Sequence, residues 1–223
     1  MSFWRQALAV AHKDVVAELR SREIITSVLV FAVLVLVIFN FAFTADVATM
    51  TLIAPGVLWV AFAFAGVLAL NRTFIPEKEE GCLEGLLACP AEREAIYLGK
   101  MLGTLFFLLL VEAVVLPIFA LLFNINVFQI EILAVTALGT IGFTAIGTVF
   151  AALAVNTRAR EMVLPILFLP IVSPVIIAVV ESSALALDGG GFSDMAVWLI
   201  ILISFDVIFL TVPFLVFSYV IEE

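Results

Sequence analysis

Apolar and polar positions fall along this chain in long blocks. Six apolar runs stand out, at about 24–43, 50–70, 101–123, 132–155, 162–180 and 196–220. A helix needs roughly 20 mostly apolar residues to cross about 30 Å of hydrocarbon. Each run therefore predicts a transmembrane α-helix, the fifth being short and interrupted. Residues 3–22 carry a different pattern. Phe3, Trp4, Ala7, Leu8, Val10, Ala11, Val15 and Leu19 recur at helical spacing, while Arg5, Lys13, Glu18, Arg20 and Arg22 fall elsewhere. That spacing predicts an amphipathic helix, suited to the membrane–water interface, with a soluble arm as the alternative.

Composition sharpens the class. Of 223 residues, 65% are hydrophobic and 13% charged, against about 25% charged in an ordinary soluble domain. The expectation is an all-α membrane protein: one transmembrane domain over residues 1–223, with no room for a second folded unit. A net charge of −9 without a basic stripe argues against nucleic acid as a partner. The first apolar run follows about twenty residues that include Asp14, Glu18 and Glu23, unlike the short basic start of a cleavable signal peptide, so no cleavage is expected.

The basic residues orient the chain. All ten lie in three places: Arg5, Lys13, Arg20 and Arg22 before the first run; Arg72, Lys78, Arg93 and Lys100 between the second and third; Arg158 and Arg160 between the fourth and fifth. Cytoplasmic loops retain Lys and Arg. The amino terminus is thus expected inside, and an even number of spans returns Glu222 and Glu223 to the same side. On this topology the Asn71-Arg72-Thr73 sequon faces the cytoplasm and has no use.

The longest polar segment, 71–100, is then cytoplasmic. Pro76 and Pro90 bracket a stretch in which Leu83, Leu86 and Leu87 share one helical face and Glu80 and Glu84 another. A short amphipathic helix is predicted, resting on headgroups or docking a partner. Cys82 and Cys89 lie in this stretch. A disulfide is not expected in a reducing compartment, and their spacing fits neither a redox pair nor a haem-attachment motif.

Within the spans, Thr140, Thr144, Thr148 and Ala152 recur every fourth position, with Gly139, Gly142 and Gly147 among them. Small residues let helices approach closely in lipid, either between subunits or within one chain. Pro165, Pro170 and Pro174 interrupt the fifth span. Each removes a backbone donor, so a bent or broken helix is expected, with Ser173, Ser182 and Ser183 at hand for the freed carbonyls. Glu112 and Asp206 lie deep in the third and sixth spans, where a charge costs on the order of 2.5–3.5 kcal/mol. No Lys or Arg falls inside a predicted span to pair with them. Two readings stand: the acids meet, share a proton and line a path, or each is a satisfied packing acid beside a residue such as Thr104, Ser204 or Thr211.

Catalytic chemistry is scarce. His12 is the one histidine, too few for a metal site of three or four ligands or a triad within the bundle. Gly99-Lys100 lacks the rest of a P-loop. No metal site, catalytic residue or directly bound cofactor is expected, and any ATP must be hydrolysed on a partner.

Particular residues carry a family likeness. Pro55-Gly56-Val57-Leu58-Trp59, Phe74-Ile75-Pro76-Glu77 with Glu80-Gly81-Cys82-Leu83-Glu84, the run from Gly139 through Gly147, and Arg158 with Leu164-Pro165, Leu169-Pro170 and Pro174 resemble CcmB, the B subunit of the cytochrome c maturation ABC system, the haem exporter permease. The likeness covers nearly the whole chain. It departs at Glu77, where the family usually has Asp, and at Cys82 and Cys89, where small or hydroxyl residues are usual.

The resemblance implies a type-II ABC exporter fold of six transmembrane helices. It implies an ATPase subunit, CcmA, docking on Phe74, Glu77, Glu80, Gly81, Leu83, Glu84, Leu86 and Leu87. It further implies a second copy of the chain, association with CcmC and CcmD, and work on haem as substrate with the haem chaperone CcmE, in the bacterial inner membrane. Two other readings stay open: a permease of the same fold exporting a lipid, drug or polysaccharide, and a membrane scaffold that only recruits partners.

Overall fold

The computed structural model describes residues 2–43, 47–74, 78, 92–155, 157 and 160–220. Helix α1 spans Phe3–Ser21, α2 Glu23–Ala42, α3 Val47–Arg72, α4 Arg93–Phe123, α5 Ile130–Val155, α6 Arg160–Leu187 and α7 Ala196–Val220. Among the described residues, α2 to α7 are the six helices long and apolar enough to cross a membrane. The chain is an all-α, multi-pass membrane protein.

The helices are sorted by what they touch. The apolar windows of α3 and α5 are 67% buried, while those of α2 and α7 are 17% buried. Helices α3 and α5 therefore form the middle of the bundle, and α2 and α7 lie at its edge with most of their surface exposed. Small residues allow the central helices to approach. A side chain at Gly139 would meet Val179 of α6 at 2.5 Å and Trp59 of α3 at 2.9 Å, one at Gly142 would strike Asp206 of α7, and one at Gly147 would strike Leu70 of α3. All three glycines thus serve packing within the chain. Thr140, Thr144 and Thr148 donate to the carbonyls of Thr136, Thr140 and Thr144 at 2.9, 2.7 and 2.8 Å. The hydroxyls of Thr144 and Thr148 are answered along α5 itself, while that of Thr140 also meets a neighbouring helix.

Helix α6 does not break. It runs continuously through Pro165, Pro170 and Pro174 and extends to Leu187, so the expected interruption and shortness are both corrected. Part of the reason is local. Pro174 cannot donate to the carbonyl of Pro170, and the Ser173 hydroxyl donates there instead at 2.8 Å. Pro213 in α7 leaves the Phe209 carbonyl without its usual donor. The buried Tyr97 hydroxyl of α4 donates its one proton to the Ala145 carbonyl of α5 at 3.0 Å and stands 3.4 Å from the Phe209 oxygen. At the far end of α4, the Asn40 amide of α2 donates to the Leu122 carbonyl at 2.8 Å, one of the last-turn carbonyls a helix leaves open. The turn between α6 and α7 closes on itself: Gly189 is left-handed (φ 86°), Gly190 N–H donates to Leu185 O at 2.9 Å, and Gly191 N–H to Asp194 Oδ2 at 2.9 Å.

Helix α1 does more than lie on a surface. Ala7, Val10 and Ala11 are buried against the start of α4. There a side chain at Gly99 would stand 2.6 Å from both the Ala7 carbonyl and Val10 Cβ. Trp4, Leu8, Val16 and Leu19 remain exposed. The apolar stripe read in the sequence is therefore two faces, one buried against protein and one left exposed. Arg22, left-handed at φ 56°, turns the chain from α1 into α2. Glu18 Oε1 accepts from the N–H groups of Ile24 and Ile25, both at 3.1 Å, so a carboxylate caps α2 where free N–H groups and the helix dipole favour it.

Gly99→Ala is expected to lower stability by about 1–3 kcal/mol, because the obstacle includes backbone and cannot swing aside. Gly56→Ala, with nothing within 4 Å of the new Cβ, is expected to be neutral or mildly stabilising, since alanine is the better helix former by about 0.5–1 kcal/mol. Thermal unfolding of both variants in detergent distinguishes them, and equal losses would contradict the tight α1–α4 seat.

Candidate functional site

Two groups of polar residues sit inside an otherwise apolar bundle. One lies at the end that carries the basic residues, the other halfway through.

At the basic end, Lys100 is 1% exposed. Sequence reading places it in the polar loop before the third span; in the structure α4 begins at Arg93 and Lys100 lies inside it. A charged side chain ends a hydropathy window, yet it can be buried when its partners come from elsewhere in the chain. Its ammonium pairs with Asp14 Oδ2 of α1 at 3.0 Å and donates to the Thr73 carbonyl, just beyond α3, at 2.9 Å. It also stands 5.1 Å from the centre of the Phe74 ring, within the range where a ring face attracts a cation. Removing one partner of such a buried pair costs about 3–5 kcal/mol, because the other charge is left alone.

Phe74 was expected to touch a docking partner. It is 1% exposed, so its ring anchors the start of the loop from inside the bundle, and a surface role for that side chain is corrected. Glu77, Glu80, Gly81, Leu83, Glu84, Leu86 and Leu87 lie outside the described residues. Asp14, Thr73, Tyr97 and Lys100 are functional candidates that sequence reasoning passed over. The one available signal was the helical register from Arg93 onward, which puts Tyr97 and Lys100 on neighbouring turns of one helix.

Halfway through the bundle, Glu112 of α4 touches the Thr140 hydroxyl of α5. Asp206 of α7 lies against Gly142. Thr140 and Gly142 are two residues apart, a rise of about 3 Å and a rotation of about 200°. The two acids are thus at similar depth but on different sides of α5, and no hydrogen bond joins them among the described residues. Of the two readings of these acids, the one in which they meet and share a proton finds no contact among the described residues. Thr140, rather than Thr104, Ser204 or Thr211, is the neighbour that answers Glu112. Glu112 Oε2 and Asp206 Oδ1 have no partner among the described residues. Glu112 also lines a cavity between α3, α4, α5 and α6, walled by Trp59, Phe62, Leu108, Phe143 and Val179. Nearby, the Trp59 indole donates to Ser183 Oγ at 3.1 Å, tying α3 to α6.

The Glu112–Thr140 contact can be read by counting protons. The Thr140 hydroxyl has one proton and stands 2.9 Å from the Thr136 carbonyl. One proton serves one acceptor well. Both contacts are hydrogen bonds when the Glu112 carboxyl brings its own proton to Thr140 Oγ1, and a glutamine amide could do the same.

Over residues 5–222 the chain matches the family described as CcmB protein. The chain belongs to the CcmB family. The match takes in all seven helices, α1 included from its third residue onward. Proteins titled Heme exporter protein B are similar along most of their length. That of Bradyrhizobium diazoefficiens is 30% identical over 168 residues, 71% of this chain and 72% of that protein. That of Pseudomonas aeruginosa is 30% identical over 172 residues, 77% of each. That of Haemophilus influenzae is 29% identical over 188 residues, 82% of this chain and 85% of that protein.

For this CcmB-family chain, Thr140→Val is expected to cost about 1–3 kcal/mol, since it leaves a buried carboxyl unanswered. Glu112→Gln is expected to cost clearly less than Thr140→Val, since a glutamine amide keeps a donor for Thr140 Oγ1. Thermal unfolding of the purified protein checks both, and a glutamine variant as damaged as the valine variant would contradict the donor assignment.

Proposed function

We propose that this chain is the permease subunit of an ABC transporter that handles haem for cytochrome c maturation. It forms a single transmembrane domain of type-II exporter form over residues 1–223. The observation that carries the reading is the family match over residues 5–222, together with relatives titled Heme exporter protein B. The chain sits in the bacterial inner membrane with both termini in the cytoplasm. Two copies join two CcmA ATPase subunits and associate with CcmC and CcmD, acting on haem and its periplasmic chaperone CcmE.

The loop that follows Phe74 supplies the docking surface, with Glu77, Glu80, Gly81, Leu83, Glu84, Leu86 and Leu87 presented to the ATPase. Its support is positional. The loop leaves the bundle at the end where the basic residues gather, which is the cytoplasmic end under the rule that retains Lys and Arg inside. The chain itself carries no P-loop sequence, so hydrolysis is assigned to the partner and the permease converts it into movement of its helices. The acids Glu112 and Asp206 and the small-residue faces around Gly139, Gly142 and Gly147 lie among the helices that would have to shift. Haem enters as substrate and no resident cofactor is assigned.

Copurification from native membranes, with mass spectrometry of the associated subunits, tests the assembly. Recovery without an ATPase would sink it. Glu84→Lys is expected to abolish ATP-dependent release of the haem-loaded chaperone while the thermal unfolding of the permease stays unchanged. Release at the parental rate would remove the docking role from this loop.

A further inference from the structure

Lys100 joins three segments at one point: α4, on which it sits; α1, through Asp14 at 3.0 Å; and the exit of α3, through the Thr73 carbonyl at 2.9 Å and the Phe74 ring. Each joint is reinforced nearby. The Glu92 N–H, at the start of α4, donates to Gln6 Oε1 of α1 at 3.1 Å. Ala7 and Val10 seat on Gly99, and a side chain at Gly103 would meet Asp14 Cβ at 3.4 Å. The hydroxyls of Thr73 and Thr104 are 3.5 Å apart. Helix α1 is thus held to α4 over about three turns, while its Trp4, Leu8, Val16 and Leu19 face outward. At its far end Glu18 and Arg22 join it to α2 by hydrogen bonds.

Stability alone does not call for this arrangement. A buried ion pair is often no better than apolar residues of the same volume. What the charge adds is direction: an ammonium fixed between a carboxylate and a backbone carbonyl ties two otherwise separate segments to α4. Thr73 is where α3 has ended and the loop begins, so the held oxygen belongs to the loop's own root.

We propose that Lys100 is a positioning residue that makes the root of the 74–91 loop, the interfacial helix α1 and α4 move as one body. A displacement of the loop is carried through Lys100 to α1 and, around the Arg22 corner, to the lipid-facing α2. This rests on the reading that the loop docks an ATPase.

The test uses the full chain with its copurified ATPase in proteoliposomes. A fluorescent probe is placed on the outward face of α1 (Leu8→Cys with Cys82→Ser and Cys89→Ser). Neutralising both members of the pair, Asp14→Asn with Lys100→Met, leaves no buried charge alone, since Lys13, which also pairs with Asp14 at 3.1 Å, is exposed, and the double variant is expected to fold. In that double variant the ATPase still binds and hydrolyses ATP, but the ATP-dependent probe signal and chaperone release each fall by at least about fivefold, the lower range of a coupling between sites. A folded double variant with the parental probe response and release would overturn the proposal. If the double variant fails to accumulate, Lys100→Arg, which keeps the charge, is expected to retain the response; its loss there also overturns the proposal. Failure of the parental chain to bind any ATPase is a different result, since it removes the docking reading itself and the proposal with it.

Discussion

Hydrocarbon offers no hydrogen bonds, so every backbone donor and acceptor of a spanning segment must be answered by the chain itself. This constraint shapes the bundle more than hydrophobicity does. Proline occurs inside α3, α4, α6 and α7, and each instance strikes out one donor. The answers come in two forms. Ser173 repairs the loss within its own helix. Tyr97 approaches the carbonyl freed by Pro213 from another helix and also binds α5. The second kind ties α4 to α5 through a backbone carbonyl at 3.0 Å, with the freed carbonyl of α7 at the edge of reach.

Much of this was readable in the residues. Six spans, their order and the preceding amphipathic helix follow from apolar length and helical period, which are local properties. The ends of the helices did not follow. Helix α4 starts at Arg93 and α6 extends past Glu181 to Leu187, because charged residues near a helix end are tolerated when a partner or water meets them. Part of what keeps α6 whole is Ser173, one residue before Pro174; the sequence offered the serine but not its geometry. Lys100 is the clearest case. Its partner Asp14 lies on a different helix, and no local pattern links the two.

The central acids show the same limit. Depth was legible, since Glu112 and Asp206 each fall near the middle of an apolar run. Facing was not: α5 stands between them, Thr140 turned to one and Gly142 to the other. A small residue at 142 is needed simply to leave room for the Asp206 carboxyl, so the glycine pattern of α5 and the placing of that acid are one feature. The CcmB-family match over residues 5–222 extends across both, which puts the acids within the shared body of the permease.

The seat of α1 on Gly99 and Gly103 has a bearing on how the protein is made. The first helix leaves the ribosome long before α4 exists to receive it. At about 5–20 residues per second, the wait is roughly 5 to 20 s. During that interval Ala7, Val10 and Ala11 have no protein to cover them, and the bilayer surface is the nearest shelter. An exposed apolar row such as Trp4, Leu8, Val16 and Leu19 is the kind of face a bilayer surface accepts, so a helix waiting for its seat would have somewhere to rest.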